Sequence, residues 1–295
     1  MSTQPAADHG SPPRIGIIGG SGTYRLPGAE VLGQVAIDTP YGPPSGPLTL
    51  ARVAGRVVAF LPRHGAGHSV PPHRINYRAN IWALKSLGVE AVISSAAVGG
   101  LREGFPPGTF VVPDQFIDHT HGRSETYYEG SPTDGAPDAG VQHLPAAEPF
   151  CPRLRILLGE ALSSRAQPYS PIGTVVVING PRFSTKAESA CYVAAGADII
   201  SMTQYPEPVL AAELNMGFAT LAYITDSDIG HDGTAPVTAE MVFERLRNAQ
   251  PQILSVLESA ISGVADSYLP DRLMPQTAVH AVMARSVRPG RDADR

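Results

Sequence analysis

The sequence predicts a single α/β domain, and three observations carry that expectation. Short apolar runs alternate with amphipathic stretches along most of the 295 residues, the pattern of strands and helices packed in layers. No Gly/Ser linker, composition break or internal repeat divides residues 14–265. Polar and glycine-rich segments follow the strand-like runs, at the end of the strands where open α/β sheets bind ligands.

Taken in order, Ile15–Gly19 (IGIIG) predicts a buried strand. Leu48–Val53 and residues 56–61 predict two strands joined by an Ala54-Gly55 hairpin. Residues 81–87 show helical spacing and stop at Gly88, followed at once by a strand over 91–95. Thr174–Ile178 predicts a further strand. Thr185-x-x-Glu188 reads as a capping box that opens a helix ending near Gly196. A strand over 199–202, a helix over 206–216 closed by Gly217 and a strand over 218–225 follow. The last helical stretch, 237–261, is expected to kink or break at Pro251. Residues 1–13 read as a disordered tail and 266–295 as a tail partly disordered or docked.

Composition excludes several classes. The 22 Lys+Arg against 27 Asp+Glu give a net charge of -5, unlike the basic footprint of a nucleic-acid binder. No apolar run of membrane-spanning length occurs, and the N-terminus has no apolar signal core, so neither membrane nor export is expected. Two cysteines, Cys151 and Cys191, make no disulfide framework and no zinc spacing. These features predict a reduced, cytoplasmic protein.

The loops carry the chemistry. Gly19-Gly20-Ser21-Gly22-Thr23 follows the first strand, and its N–H groups and hydroxyl suit an anion as well as a tight turn. It is neither a dinucleotide fingerprint nor a Walker loop nor a nucleophile elbow. Arg63-His64-Gly65-Ala66-Gly67-His68 offers a bidentate guanidinium fork and an imidazole for an oxyanion. His64 with His68 is a poor metal pair without a third ligand, and Asp118-His119-x-His121 reads best as a solvated loop. Ser94 to Gly100 is small and glycine-rich, which suits a ring lying on backbone or close packing equally. In Asn179-Gly180-Pro181-Arg182-Phe183-Ser184, Phe183 can stack on an aromatic base and Ser184 can hydrogen-bond it. Met202-Thr203 sets a soft apolar contact beside a hydroxyl. Thr225-Asp226-Ser227-Asp228 ends a strand. Strand periodicity would put both carboxylates on one face, about 7 Å apart, where shared desolvation favours a proton on one of them.

Together these segments resemble the methylthioadenosine phosphorylase branch of the trimeric purine nucleoside phosphorylase family. The resemblance runs over residues 14–260 and is most specific in NYRANIWALK, VQHLPAAEPFCP, GPRFST and the Asp-x-Asp pair. It implies a single-domain nucleoside-phosphorylase-like fold, with a central mixed twisted β-sheet flanked by helices. It also implies phosphorolysis of 5′-deoxy-5′-methylthioadenosine to adenine and 5-methylthioribose 1-phosphate, with Asp226, Asp228 and His64 as catalytic residues.

Carried over, the phosphate site falls on Ser21, Arg63, His64, Thr203 and the backbone at Ala97. The base site falls on Ala97, Val98, Gly99, Phe183, Ser184, Asp226 and Asp228. The ribose and 5′-group meet Met202 and His68, with His143 supplied by a neighbouring subunit of a homotrimer. No metal and no cofactor beyond the co-substrate phosphate is implied. Ala96 replaces a threonine of members closest to the animal enzyme, and Ile229-Gly230-His231-Asp232 departs from the family's usual forms. Alternatives are another purine nucleoside as substrate, a dinucleotide-dependent oxidoreductase, and a non-catalytic nucleoside binder on the same fold.

Overall fold

The computed structural model describes residues 12–20, 28–130, 137–230, 233 and 237–286. Ser21, His231 and Asp232 lie outside the described residues. The first four strands are β1 (Ile15–Gly19), β2 (Glu30–Val35), β3 (Leu48–Val53) and β4 (Arg56–Pro62). Ala54 and Gly55 both take positive φ between β3 and β4, as a two-residue hairpin that follows the sheet's twist requires. Helix α1 (Tyr77–Ser86) begins earlier than its apolar spacing suggests, because the Asn76 side chain accepts from the N–H of Ala79.

The remaining strands are β5 (Ala91–Gly100), β6 (Phe110–Val111), β7 (Gln115–His119), β8 (Tyr169–Ser170), β9 (Thr174–Ile178), β10 (Ile199–Ser201) and β11 (Gly217–Asp226). The helices after α1 are α2 (Pro152–Ser163), α3 (Lys186–Ala194), α4 (Glu207–Glu213), α5 (Ala239–Gly263) and α6 (Gln276–Met283). Thr185 and Glu188 form the expected capping box of α3.

Three expectations change. Strand β5 continues to Gly100, so the small-residue stretch is strand and not a loop. Helix α4 ends with Asn215 in the left-handed region. Gly217 instead opens β11 where no Cβ fits, since one would stand 2.0 Å from the Tyr268 hydroxyl. Helix α5 is not broken at Pro251 and continues to Gly263. Pro251 and Arg247 both face solvent, so water can serve the carbonyl that the proline leaves without an N–H.

The sheet is mixed. Its order is β2-β3-β4-β1-β5-β10-β9-β7, with β11 pairing β5 and β6, and β6 pairing β8. One apolar cluster joins α1, α4 and α6 to the sheet and a second joins α2 and α5 to it. Helix α6, in the segment read as a tail, buries Ala278, Val279 and Val282, and the Val282 carbonyl accepts from the Trp82 indole.

One topological feature prepares the site. Strand β5 pairs with β1 through Ile18–Ser94 and picks up β10 only at Gly99 and Gly100. Between those points β5 keeps β11 on its other edge but has neither β1 nor β10 beside it. The stretch Ser95 to Val98 therefore borders an opening between diverging strands, the position at which α/β sheets bind ligands.

Candidate active site

A cleft of about 300 Å³ occupies that opening. Arg63, His64, His68, Ala97, Val98, Gly99, Phe183, Ser184, Met202, Thr203, Asp226 and Asp228 all line it, drawn from the ends of β4, β5, β9, β10 and β11 and the loops behind them. His143 does not line it; it is exposed, in the segment before α2. Ala96, Val242 and Phe243 also line the cleft. The last two come from the second turn of α5, which its amphipathic pattern alone does not assign to a ligand.

Arg63 is fully buried, and its environment corrects the expected bidentate fork. Its Nε and Nη2 donate to the two carboxylate oxygens of Glu207 at 2.6 and 2.9 Å. Nη2 also donates to Ser94 Oγ at 2.5 Å, and Nη1 to the Ser95 carbonyl at 2.8 Å. Four of five N–H groups are thus engaged, leaving one on Nη1 for an anion. That nitrogen lies against Gly20, where a Cβ would come within 2.9 Å of it. The two residues are 144 positions apart, and no local pattern in the sequence announces the pair.

His64 is likewise committed. Its Nδ1 faces the Val70 carbonyl at 2.9 Å, so that nitrogen carries the proton and Nε2 carries a lone pair. Burial, reinforced by the Arg63 charge, pushes its pKa down to about 3. The expected donor is an acceptor in this state. The His68 ring stacks on it, centroids 4.1 Å apart, and meets the Phe243 ring edge-on at 5.4 Å. This is ring packing and not chelation. Among the described residues, no three His, Cys, Asp or Glu side chains converge as a metal site. Asp118 caps the Thr120 N–H at 2.8 Å, next to exposed His119.

The two acids do not alternate along a strand. Asp226 is the last residue of β11, and Asp228 follows with φ 47, turning its N–H into Asp226 Oδ1 at 2.9 Å. Thr225 Oγ1 donates to Asp226 Oδ2 at 2.7 Å. Burial raises the Asp226 pKa; these two donors oppose the rise, and the Asp228 charge adds only a smaller push. Desolvation, more than the like-charged neighbour, is thus what favours a proton on Asp226. Asp228 Oδ2 accepts from Ser189 Oγ on α3, a buried contact absent from the sequence reading. Gly99 is required here: a Cβ would stand 2.9 Å from both Asp226 Oδ1 and Ile200 Cγ2.

The 181–185 loop is held from outside. Arg182 donates with both Nη groups to Glu188, at 2.7 and 2.6 Å, and Glu188 also closes the α3 capping box. Ser184 Oγ is buried with no partner among the described residues, and Phe183 keeps 38% of its surface exposed at the cleft. An orphan hydroxyl beside an uncovered ring is what a planar, polar-edged ligand completes.

The phosphorylase superfamily model matches residues 14–262. The chain belongs to the phosphorylase superfamily. This phosphorylase is 45% identical over 255 residues to a purine nucleoside phosphorylase of Streptomyces coelicolor, covering 86% of this chain and 90% of the relative. It is 45% identical over 253 residues to an S-methyl-5′-thioadenosine phosphorylase of Thermofilum pendens, covering 86% and 93%. Among solved structures, the methylthioadenosine phosphorylase of Schistosoma mansoni in complex with adenine superposes with a TM-score of 0.81 at 36% identity, covering 94% of this chain and 99% of that one. Equal identity to proteins named for different nucleosides leaves substrate choice to the cleft itself.

Proposed function

We propose that this phosphorylase splits the N-glycosidic bond of 5′-deoxy-5′-methylthioadenosine with inorganic phosphate, giving adenine and 5-methylthioribose 1-phosphate. The observation that carries the reading is one cleft lined by chemically opposite groups. These are Arg63, bonded at Ser95, and Asp226, against Gly99 farther along β5. His64, Thr203, Asp228 and the orphan Ser184 hydroxyl line it too.

Departure of the base loads negative charge on the purine and positive charge on the sugar. Asp226, whose pKa burial raises, is the group that donates toward N7. Asp228, fixed by Ser189, accepts from the N6 amine. The remaining Arg63 N–H and Thr203 hold phosphate beneath C1′, where it attacks and balances the cationic sugar. His64 Nε2 takes a hydrogen bond from the phosphate's own O–H, which suits hydrogen phosphate. Met202, Val242 and Phe243 make an apolar wall beside His68, favouring a methylthio group over a hydroxyl. Phosphate is the co-substrate, and the scheme calls for no metal or nucleotide cofactor. Exposed His143 completes a neighbouring subunit's site in a homotrimer, a point that hybrid trimers of His143→Ala and Asp226→Ala subunits test by recovery of activity.

Adenine release from methylthioadenosine, followed with and without phosphate, tests the whole. Release is expected only with phosphate, and methylthioinosine should react at least tenfold more slowly. An acceptor facing O6 leaves a charged group unmatched, at about 1.5–3 kcal/mol, and 1.4 kcal/mol is about tenfold. Equal rates on the two nucleosides would defeat the assignment of Asp228. Binding without turnover would defeat the enzyme reading.

A further inference from the structure

Outside the residues already discussed, one cation touches several carbonyls of the site at once. Arg123 lies in the loop after β7. Its Nη2 donates to the carbonyls of Ile178 and Asn179, each at 3.3 Å, and of Met202 at 2.8 Å. Its Nη1 donates to the carbonyl of Tyr205. The guanidinium carbon sits 5.0 Å over the Tyr77 ring, and the buried Nε has no partner among the described residues.

These carbonyls belong to two neighbouring strand ends that both border the cleft. Ile178 ends β9, and Asn179 leads into the loop that presents Phe183 and Ser184. Met202 lies between Ser201 and Thr203, beyond the end of β10. Tyr205 precedes Glu207, the residue that holds Arg63. Met202 and the 179–184 loop are also in direct contact, since a Cβ on Gly180 would fall 2.6 Å from Met202 Sδ. Strands β9 and β10 are parallel neighbours whose ladder stops at Ser201. Past that point their carbonyls need donors from elsewhere, and a planar guanidinium can serve several of them in fixed relative positions.

We infer that Arg123 is a positioning residue that sets the spacing between the base-binding wall and the phosphate-binding wall. It touches no substrate. It acts by holding the two strand ends that carry Ser184 on one side and Thr203 on the other. The inference rests on the proposed phosphorolysis, in which phosphate must lie about 3–3.5 Å from C1′ while the base is gripped, and a misplacement of about 1 Å costs on the order of a hundredfold.

The test compares wild type, Arg123→Ala and Arg123→Lys, with kcat counted per folded site by adenine binding. Arg123→Ala should lower kcat by about 10- to 100-fold, the range of that misplacement. KM for nucleoside and for phosphate should each change by less than about threefold, because each wall alone stays intact. Arg123→Lys keeps the charge and three N–H groups but not the plane, and should recover at least a third of the lost kcat on a logarithmic scale. A structural role alone would lower thermal stability and the folded fraction without moving kcat per site. The inference is overturned if kcat per site stays within twofold of wild type, or if the lysine variant is no better than the alanine one. Should Arg123→Ala not fold, Arg123→Lys against Arg123→Gln decides by the same split, the charged variant being the more active. Wild type without phosphate-dependent turnover would instead overturn the proposed function, so the two failures are distinct.

Discussion

Removing Glu207 is the sharpest perturbation that the site offers. Glu207 and Arg63 are each about 1% exposed in their side chains and joined through two N–H···O contacts of 2.6 and 2.9 Å. In Glu207→Ala the guanidinium stays buried with only Ser94 Oγ and the Ser95 carbonyl. Breaking one side of a buried ion pair costs about 3–5 kcal/mol, because it leaves the other charge uncompensated. At about 2–4 °C per kcal/mol for a chain of this size, Tm in phosphate-free buffer should fall by roughly 6–20 °C. The freed Nε and Nη2 N–H groups face the space that the carboxylate leaves, and Arg63, which lines the cleft, is left without its fixed anion. Added phosphate then becomes the counter-ion, and its stabilisation grows as the logarithm of its concentration over Kd.

The assay is a thermal melt of wild type and variant across a phosphate titration, with chloride at matched ionic strength as control. The phosphate-induced rise in Tm should be larger in Glu207→Ala than in wild type. Glu207→Gln should fall between them, since its carbonyl still accepts from Nε while its amide opposes Nη2. A Tm loss below about 2 °C, or a phosphate shift no larger than wild type's, would refute the claim that Glu207 is the resident partner of Arg63. The same geometry makes Arg63→Ala a poor probe of phosphate binding alone, because it strands Glu207 in turn.

Three further outcomes follow from the site. His64 is neutral in the fold, with its pKa pushed down to about 3, but titrates near 6.5 when unfolded. The unfolded state therefore binds the extra proton, and stability should fall as pH drops from about 6.5 toward 3, by up to about 1.4 kcal/mol per pH unit; phosphate-free melts of wild type and His64→Asn should diverge across that window, and parallel curves would count against it. Gly99→Ala places a methyl 2.9 Å from Asp226 Oδ1 and Ile200 Cγ2, so kcat/KM for every purine nucleoside should drop at least tenfold, about 1.4 kcal/mol; an unchanged value would mean that Asp226 need not sit where it does. Ser189→Ala removes a donor from Asp228 and should narrow the preference for methylthioadenosine over methylthioinosine about fivefold or more, a charged hydrogen bond being worth about 1.5–3 kcal/mol; a ratio within twofold of wild type would detach Ser189 from base choice.

What the sequence could reveal follows from physical range. Buried strands announce themselves as unbroken apolar runs, and IGIIG and TVVVI are β1 and β9 with the expected bounds. Strand β7 reads QFIDH, only partly buried, ending in His119 with His121 just beyond, so its pattern looks like a loop. Helix α2 starts at Pro152, a proline at the helix start, with arginines among its leucines, and the Phe218 carbonyl receives the N–H of Cys151 just before it. Apart from Ser21, outside the described residues, and His143, which does not line the cleft, the site residues named from the sequence lie around one cleft, yet two of their expected chemistries change. Arg63 has committed four of its five N–H groups to Glu207, Ser94 and Ser95, and His64 has turned its N–H away to Val70. The first correction comes from a partner 144 positions away, the second from a carbonyl six positions on, just past the 63–68 motif.

Those partners explain how one scaffold can serve different nucleosides. The groups assigned to the chemistry are few: one Arg63 N–H, one His64 lone pair, the Thr203 and Ser184 hydroxyls, and two carboxylates. Four of them, Arg63, His64 and the two carboxylates, have their orientation set by a neighbour that stays off the substrate. Glu207 fixes Arg63, Val70 fixes His64, Thr225 fixes Asp226 and Ser189 fixes Asp228. Such a layer holds the reacting groups still without specifying the ligand's edge. Substrate choice can then shift through the small set of atoms that face the base and the 5′-group, while the fold and the phosphate end stay as they are. That division is consistent with 45% identity to both a purine nucleoside phosphorylase and a methylthioadenosine phosphorylase. It locates the decisive test in base and 5′-group preference rather than in overall likeness.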